Sequence, residues 1–300
     1  MPKAHDATTI RLKDLVALRQ RAESFLLPDS GKKALIGTGN TFSPFKSRGL
    51  DFQEVRVYQP GDDIRQIDWH ITAKYGKPFT KLYTEEKDRT VFFVIDLRSS
   101  MFFATRGDFK AVVAARMAAF MAFVAEYQKD KIGYLVLTDD ALLSSGESST
   151  NTLAPLLDTL ARSVGKGLPS SWHNVLRLLG QFLPAGSFAF FFSDFYDWAQ
   201  ADTELLPSLS EKNTFVFCSI YDTLESNLPD DILPFSNGKE TVIIKNQDDN
   251  VRKKFHDEWQ AQQLMIEKIA RKYGHGFLSV PTDSDYLDLI ARFCFGRGIK

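Results

Sequence analysis

Short, continuous apolar runs alternate with helix-patterned segments over the C-terminal two thirds of the chain. The runs have the length of strands and are rich in Phe, Val and Ile, and the segments between them carry apolar residues at helical spacing. A strand without polar alternation is buried on both faces, and strands that alternate with helices pair in parallel. The pattern therefore predicts an α/β fold, a mostly parallel sheet with helices on both faces. The predicted strands are TVFFVID from Thr90, KIGYLVLTD from Lys131, SFAFFFSD from Ser187, TFVFCSI from Thr214 and GFLSVP from Gly276.

Helices are predicted between these strands, and one segment breaks the alternation. The helical patterns cover residues 108–128, 152–164, 174–183, 251–273 and 284–295. The segment 229–245 instead holds proline, an Asn-Gly pair and a TVII run. Asn-Gly is a frequent two-residue turn between paired strands, so this segment is predicted to form an inserted β-hairpin.

The first 89 residues have a different texture. An amphipathic pattern predicts a helix from about residue 9 to residue 27, and a glycine-, serine- and lysine-containing stretch from 31 to 48 predicts a loop or irregular β segment. KPFTKLYTEE, residues 77–86, is typical of an exposed or edge strand. The sequence thus predicts a small N-terminal α+β region, residues 1–89, before an α/β domain of residues 90–300.

Composition argues against several classes of protein. The 37 Lys and Arg residues nearly balance 38 Asp and Glu residues, so no basic field favours nucleic acid as a partner. The N-terminus lacks a signal-peptide core, and the apolar stretch 117–125 is too short to span a bilayer. Two cysteines far apart exclude a disulfide framework. We therefore expect a cytoplasmic protein without a membrane span and without nucleic-acid binding.

The stretch RVYQPGDDIRQIDWH, residues 56–70, concentrates charged and aromatic residues beside a turn. Pro60-Gly61 is a strong turn signal, and Asp62 or Asp63 is a suitable N-cap for a short helix. In such a helix Ile64 and Ile67 would face inward. One interpretation is a surface turn whose charges satisfy one another, and the other is a recognition element.

Two predicted strands end in carboxylates. Asp96 closes the first strand and Asp194 closes the FAFFFSD strand, and the carboxyl ends of parallel strands meet at one edge of a sheet. Carboxylate and hydroxyl oxygens suit a hard cation such as Mg²⁺, whereas the alternative is that these acids cap the following helices. A metal-dependent hydrolase using Asp96, Asp194 and His173 is a competing function, although no His-Glu-x-x-His or Gly-x-x-x-x-Gly-Lys motif is present.

Three motifs together carry a family resemblance. VIDLRSSM, FFFSDF and VRVYQPGDDIRQIDWHITAKYGKPFTKLYTEE resemble the DUF58 family, bacterial proteins with a von Willebrand factor A-like domain that are typically encoded beside MoxR-type AAA+ ATPases. The motifs cover about residues 37–194, and the remainder matches only in the order of strands and helices. The resemblance implies a non-enzymatic adaptor that works with a MoxR-type ATPase in the assembly or remodelling of a protein client.

The charged and aromatic residues of the 56–70 motif lead to a second expectation. We expect its residues to form a charge-paired turn that docks the N-terminal region against the α/β domain, with Trp69 buried as the anchor. The rival hypothesis is that the same face binds the ATPase. The residues concerned are Arg56, Tyr58, Gly61, Asp62, Asp63, Arg65, Asp68 and Trp69.

Von Willebrand factor A domains bind a metal through an Asp-x-Ser-x-Ser loop, a threonine and a later aspartate. The resemblance places Asp96 and Ser100 at the ends of that loop and Asp194 at the later position, but Arg98 stands at the middle serine. His173 stands at the threonine position, with Ser170 and Ser171 as nearby substitutes. The expectation is a degenerate site without a cofactor.

Arg98 is predicted to neutralise Asp96 and Asp194 in place of a cation, because a guanidinium carries a permanent charge and five donors. The alternative is that Arg98 faces solvent and Mg²⁺ binds through Asp96, Ser100, Asp194 and water molecules.

Overall fold

The chain is divided into two compact units. One comprises residues 1–44 together with 89–300, and the other comprises residues 45–88. A computed structural model describes residues 7–26, 52–59, 62, 64–83, 89–162, 171–199, 204–226, 228, 232–236, 241–245 and 249–296.

The strands follow the predicted runs closely. Numbered along the chain, they are β1 (Phe52–Val57), β2 (Phe79–Tyr83), β3 (Thr90–Asp96), β4 (Lys131–Leu137), β5 (Leu142–Ser144), β6 (Phe188–Ser193), β7 (Thr214–Tyr221), β8 (Ile232–Ser236), β9 (Thr241–Lys245) and β10 (Gly276–Pro281). The helices are α1 (Leu12–Leu26), α2 (Trp69–Tyr75), α3 (Lys110–Tyr127), α4 (Leu153–Arg162), α5 (Trp172–Phe182), α6 (Leu206–Ser210), α7 (Thr223–Ser226), α8 (Asp249–Lys272) and α9 (Tyr286–Phe295).

Six strands of the larger unit form one sheet in the order β10-β7-β6-β3-β4-β5. All neighbours are parallel except β5, which runs antiparallel to β4 at one edge. Counted from β3, this is the doubly wound order 3-2-1-4-5-6, in which the chain first builds outward on one side and then crosses to the other. The crossing puts the topological switch point between β3 and β6.

Successive side chains of the central strands point to opposite faces of the sheet. Phe92 and Val94 of β3 belong to a core cluster that also contains Val175 of α5 and Ile266 of α8. On the other side α3 contacts β3, β4, β6 and β7, and it is buried over most of its length because α1, α4 and α9 also contact it. The predicted α/β fold, a mostly parallel sheet with helices on both faces, is confirmed.

Helix α1 differs from the predicted division of the chain. The sequence assigned residues 1–89 to one N-terminal region, whereas α1 packs on α3 and belongs to the larger unit. Leu15, Leu18 and Phe25 bury its apolar face. An amphipathic helix needs an apolar partner, and α3 supplies it. The two helices are also joined by an ion pair between Arg19 and Glu126, which are 107 positions apart in the sequence.

The inserted hairpin is present: β8 and β9 pair antiparallel from Ile232–Lys245 to Ser236–Thr241. Within the described part of the chain, no helix is both long and apolar enough to cross a membrane.

The smaller unit is a β-hairpin with a short helix. Strands β1 and β2 pair antiparallel, with an irregularity between Phe52 and Glu54. A 3-10 turn, Ile64–Gln66, precedes α2. The helix begins where Asp68 accepts hydrogen bonds from the backbone N–H groups of His70 and Ile71, and it ends at Gly76, whose φ of 67° is the left-handed conformation that glycine adopts without strain.

Candidate functional site

The two predicted carboxylates lie at the switch point of the sheet. Asp96 is the last residue of β3, Ser193 is the last residue of β6, and Asp194 follows it. The two strands are direct parallel neighbours, with Ile95 opposite Phe192. The structure therefore brings Asp96 and Asp194 to the same carboxyl edge, as the sequence predicted, in the place where open α/β sheets bind ligands.

Asp96 is fully buried and is enclosed by hydrogen-bond donors. Arg98 Nε donates to Oδ1 at 2.9 Å, and Arg98 Nη2 donates to Oδ2 at 2.7 Å. The backbone N–H of Arg98 also donates to Oδ1, at 3.1 Å, and the Ser193 hydroxyl donates to Oδ2 at 2.7 Å. Burial raises the pKa of the Asp96 carboxyl, and the hydrogen bonds and charge of Arg98 oppose that rise.

The other edge of the Arg98 guanidinium is taken by Asp197. Nη2 donates to Oδ1 of Asp197 at 2.8 Å, and Nη1 donates to Oδ2. Trp172 Nε1 donates to the same Oδ1 at 3.0 Å, and its ring lies 5.5 Å from the guanidinium carbon. Although burial opposes it, the hydrogen bonds and charge of Arg98 hold the pKa of Asp197 below its ordinary value. Arg98 is thus held between two carboxylates and an indole ring.

Asp194 has a different cation. Lys110, the first residue of α3, is buried, and its Nζ donates to Asp194 Oδ2 at 2.9 Å and to Glu225 Oε1 at 2.5 Å. Although burial opposes it, the charges of Asp194 and Glu225 raise the pKa of the Lys110 ammonium. The prediction that Arg98 neutralises both aspartates is therefore wrong for Asp194: the second edge of the Arg98 guanidinium is occupied by Asp197, and Lys110 pairs with Asp194.

Asp222 fixes the loop that carries Arg98. This buried carboxylate follows β7 and accepts hydrogen bonds from the backbone N–H of Thr105 at 2.8 Å and from its hydroxyl at 2.6 Å. The Thr282 hydroxyl, just beyond β10, donates to it at 3.1 Å. The β3–α3 loop is therefore tied to the ends of two further strands.

The remaining predicted positions do not converge on the carboxylates. Ser100 is exposed in a 3-10 turn, and the neighbouring Ser99 donates to Asp139 instead. His173 is exposed on α5, and Ser171 caps that helix by accepting from the Asn174 N–H. Ser170 lies outside the described residues. The side chain that α5 sends to the site is Trp172, because the cap at Ser171 makes it the first, inward-facing residue of the helix.

Sequence reasoning missed Lys110, Asp197, Trp172 and Glu225. Lys110 had a detectable signal, since it is a lysine at the head of an otherwise apolar helix segment, KAVVAA. Asp197 also had one, as a second acid three positions after Asp194. Nothing in the sequence pointed to Glu225, whose contact with Lys110 spans 115 positions.

In the smaller unit, part of the predicted charge pairing is present. Arg56 Nη2 donates to Asp62 Oδ1 at 2.8 Å, and the Gln59 N–H donates to Asp62 Oδ2 at 2.9 Å. The hydrogen bond from the Gln59 N–H lowers the pKa of the Asp62 carboxyl below its ordinary value. Slight burial opposes this shift, and the hydrogen bond and charge of Arg56 add to it. Asp62 therefore closes the turn and does not cap a helix. Tyr58 is half-buried, Arg65 is exposed, and Gly61 and Asp63 lie outside the described residues.

Two side chains of this unit that were expected to be buried are exposed. Trp69, expected to be a buried anchor, is 67% exposed, and Ile64, expected to face inward, is 64% exposed. Asp68 is the cap, so Trp69 becomes the first residue of α2, and Ile64 lies in a 3-10 turn without helical spacing. A two-stranded hairpin with one short helix offers too little apolar surface to bury both side chains. The docking of this region against the α/β domain stays a prediction.

Comparison with known families shows the family of this chain. The family model described as protein of unknown function DUF58 matches residues 54–265, more than half of the chain. The chain belongs to the DUF58 family. The match includes both the 56–70 motif and the switch-point carboxylates, and the predicted membership of the DUF58 family is confirmed.

Relatives of this DUF58 chain include the uncharacterized proteins Rv1480 of Mycobacterium tuberculosis and Mb1516 of Mycobacterium bovis. Each is 23% identical over 258 residues, which cover 83% of this chain and 80% of the relative. Among solved structures, the conserved hypothetical protein BatB from Bacteroides thetaiotaomicron is 13% identical with a TM-score of 0.45, covering 68% of this chain and 96% of BatB. A von Willebrand factor type A protein from Catenulispora acidiphila is 15% identical with a TM-score of 0.33, covering 48% and 35% of the two chains.

The resemblance described from the sequence motifs implied a divalent cation at the switch point, but the residues of this DUF58 protein do not fit one. Both oxygens of Asp96 already accept hydrogen bonds from Arg98, and Asp194 accepts one from Lys110. Arginine and lysine donate only and supply no lone pair to a metal. Among the residues that the structure describes, no group of three or more His, Cys, Asp or Glu side chains is arranged to hold a metal ion.

A serine and a histidine do meet elsewhere in the DUF58 fold, at the opposite end of β7. Ser210 Oγ lies 2.8 Å from Nε2 of His275 and donates to the Leu206 carbonyl at 2.6 Å. The Phe215 N–H donates to Nδ1 of His275, so the neutral ring carries its proton on Nε2 and donates it to Ser210. A histidine in this tautomer does not accept the serine proton. The pair is therefore a structural contact and not a nucleophile with its base.

Proposed function

We propose that this DUF58 protein is a non-enzymatic protein-interaction module that works with a MoxR-type AAA+ ATPase in the assembly or remodelling of a protein client. We further propose that the unit of residues 45–88 carries the ATPase contact. The observation that carries the proposal is the exposure of Trp69 within the charged motif of that unit. Because the proposed partner uses ATP, we propose that the complex acts in the cytoplasm.

The small unit presents apolar side chains beside charged ones. Trp69, Ile64 and Tyr75 are each more than three-fifths exposed, and Arg65 is exposed next to Ile64. Tryptophan, tyrosine and arginine are the residues that most often dominate protein–protein binding energies, because large rings bury much area at little entropic cost. Exposed apolar side chains with a polar surround are typical of interaction sites. This composition supports the recognition interpretation of the motif over a self-satisfied surface turn.

The competing hydrolase has less support. A hydrolytic carboxylate must meet a cation, a water molecule or a substrate proton, and Asp96 and Asp194 both make hydrogen bonds to protein cations instead. His173, the third residue of that hypothesis, is exposed on α5. The switch-point residues are arranged as structural ion pairs.

The test combines binding and activity. The purified chain and a purified MoxR-type ATPase from the same organism are mixed with ATP, with ADP and without nucleotide, and complex formation is followed by sedimentation velocity. The chain alone is assayed against phosphoester, peptide and nucleotide substrates with Mg²⁺. We expect a nucleotide-dependent complex and no turnover. Absence of a complex in all three nucleotide states, or turnover that is lost in Asp194→Asn, would contradict the proposal.

A further inference from the structure

We infer that the side chains of Arg98 and Lys110 replace the divalent cation at the switch point, so that the protein carries its own two cations there and is structurally independent of Mg²⁺. This inference concerns the carboxyl edge of the large sheet and does not depend on the proposed ATPase partner.

The buried carboxylates that follow β3 and β6 each pair with one cation, whereas the buried carboxylate after β7, Asp222, accepts its hydrogen bonds from neutral donors. Asp96 is fully buried and pairs with Arg98, whose side chain is 11% exposed. Asp194 is buried and pairs with Lys110, which is 2% exposed. A buried carboxylate without a counter-charge is strongly unfavourable, and each of these two has its own cation within 3 Å.

Two further carboxylates surround the cations on the solvent side. Asp197 is 45% exposed and Glu225 is half-buried, so water screens their charge and they do not require another cation. Their geometric role is to fix the cations: Asp197 takes the second edge of the Arg98 guanidinium, and Glu225 takes another N–H of the Lys110 ammonium. Both cations are thereby oriented toward the buried carboxylates.

The donors of Arg98 are nearly saturated. Its guanidinium has five N–H bonds, and four of them reach Asp96 or Asp197. The edge is consequently closed to a metal ion, because the carboxylate oxygens that would bind the ion already accept hydrogen bonds from Arg98 and Lys110. It is also closed to an acidic partner group, which would need free guanidinium N–H bonds. A partner that contacts this edge must do so without metal bridging.

The experiment measures metal binding and metal-dependent stability. Wild-type protein freed of metal with EDTA is titrated with MgCl₂ and MnCl₂ by calorimetry, and its melting temperature is recorded with and without each ion. We expect no stoichiometric heat and no shift in melting temperature. Stoichiometric Mg²⁺ or Mn²⁺ binding by the wild type that disappears in Asp194→Asn would overturn the inference.

Arg98→Ser restores the serine of an Asp-x-Ser-x-Ser loop and leaves Asp96 unpaired. We expect its melting temperature to fall in EDTA and to recover by about half or more with millimolar Mn²⁺, because an ion that binds only the folded state stabilises it. Arg89→Ser is the matched control, since Arg89 makes a similar two-bond pair with buried Asp130, at 3.1 and 2.6 Å. Its melting temperature should fall without recovery in Mn²⁺.

A folded Arg98→Ser protein that gains no response to Mn²⁺ would show that Arg98 does not occupy a cation position and would also overturn the inference. If Arg98→Ser does not fold in EDTA, refolding it with and without Mn²⁺ gives the same comparison. Arg98→Lys, which keeps the charge, should remain folded and unresponsive to either ion.

Discussion

The guanidinium of Arg98 spans both carboxylate oxygens of Asp96, with Nε 2.9 Å from Oδ1 and Nη2 2.7 Å from Oδ2. The two residues are separated only by Leu97, which continues the sheet by donating its N–H to the Leu137 carbonyl. The chain then turns, and Arg98 folds back over the end of β3. The pair is therefore local in sequence and buried in the fold, and its energy depends on both partners being present.

Removing both partners of this pair should cost less than the sum of the losses from removing each one alone. We expect Arg98→Met to lower the free energy of unfolding by about 3 to 5 kcal/mol, because Asp96 is left buried without its counter-charge. In Arg98→Met/Asp96→Leu the loss should be smaller than the sum of the two single losses. Urea unfolding of the four proteins measures the coupling. Additive losses would show that the two side chains do not act as a pair.

Gly133 tests how closely β3 and β4 pack. A Cβ at this position would overlap the ring of Phe92 on the neighbouring strand. We expect Gly133→Ala to lower the free energy of unfolding by about 1 to 3 kcal/mol, since a packed core does not absorb an extra methyl group. Gly180→Ala on α5 is the control, because its nearest neighbour is 3.8 Å away, and it should stabilise the protein by about 0.5 to 1 kcal/mol. A neutral Gly133→Ala would contradict this packing.

His275 should make stability depend on pH. Burial lowers its pKa in the folded protein from 6.5 to about 4, so as pH falls below about 6.5 the unfolded chain binds the proton first. This histidine therefore contributes a loss of stability, on the order of 1 to 2 kcal/mol, as pH falls from 7 to 5. His275→Gln should remove that part of the slope in urea unfolding, whereas His70→Gln, at an exposed position, should keep it. Equal slopes in both variants would sink the assignment.

The core of the fold was predictable because its signals are local. TVFFVID and FAFFFSD are continuous apolar runs that end in an acid, and β3 and β6 match them within one residue at each end. The edge strand β5 was missed, since its three residues, Leu142–Ser144, have no alternating pattern and pair only with β4. The membership of α1 in the larger unit was missed for a related reason: an amphipathic pattern shows that a helix has a partner but not which one.

The candidate site was predictable only in part. Asp96, Arg98 and Asp194 followed from the strand ends and the family motif, and the structure places all three at one edge. The partners that determine their chemistry lie far away in the sequence, with 84 positions between Lys110 and Asp194 and 99 between Arg98 and Asp197. Such contacts are set by the packing of α3 and of the segment after β6. The exposure of Trp69 was likewise not predictable from the sequence. The sequence shows an aromatic residue but not how much apolar surface is available to cover it.

The claim that the unit of residues 45–88 carries the partner contact makes Trp69 its central residue. Trp69→Ala should leave the melting temperature within about 2 °C of the wild type, because an exposed ring contributes little to folding. The matched control is Phe102→Ala, which removes a 43% exposed aromatic ring from the larger unit.

The most direct measurement is the dissociation constant of each variant with the MoxR-type ATPase, determined by biolayer interferometry at one fixed nucleotide condition. The account predicts that Trp69→Ala weakens binding by about tenfold or more while Phe102→Ala binds as the wild type does. Unchanged binding by a folded Trp69→Ala, or an equal loss in both variants, would contradict it.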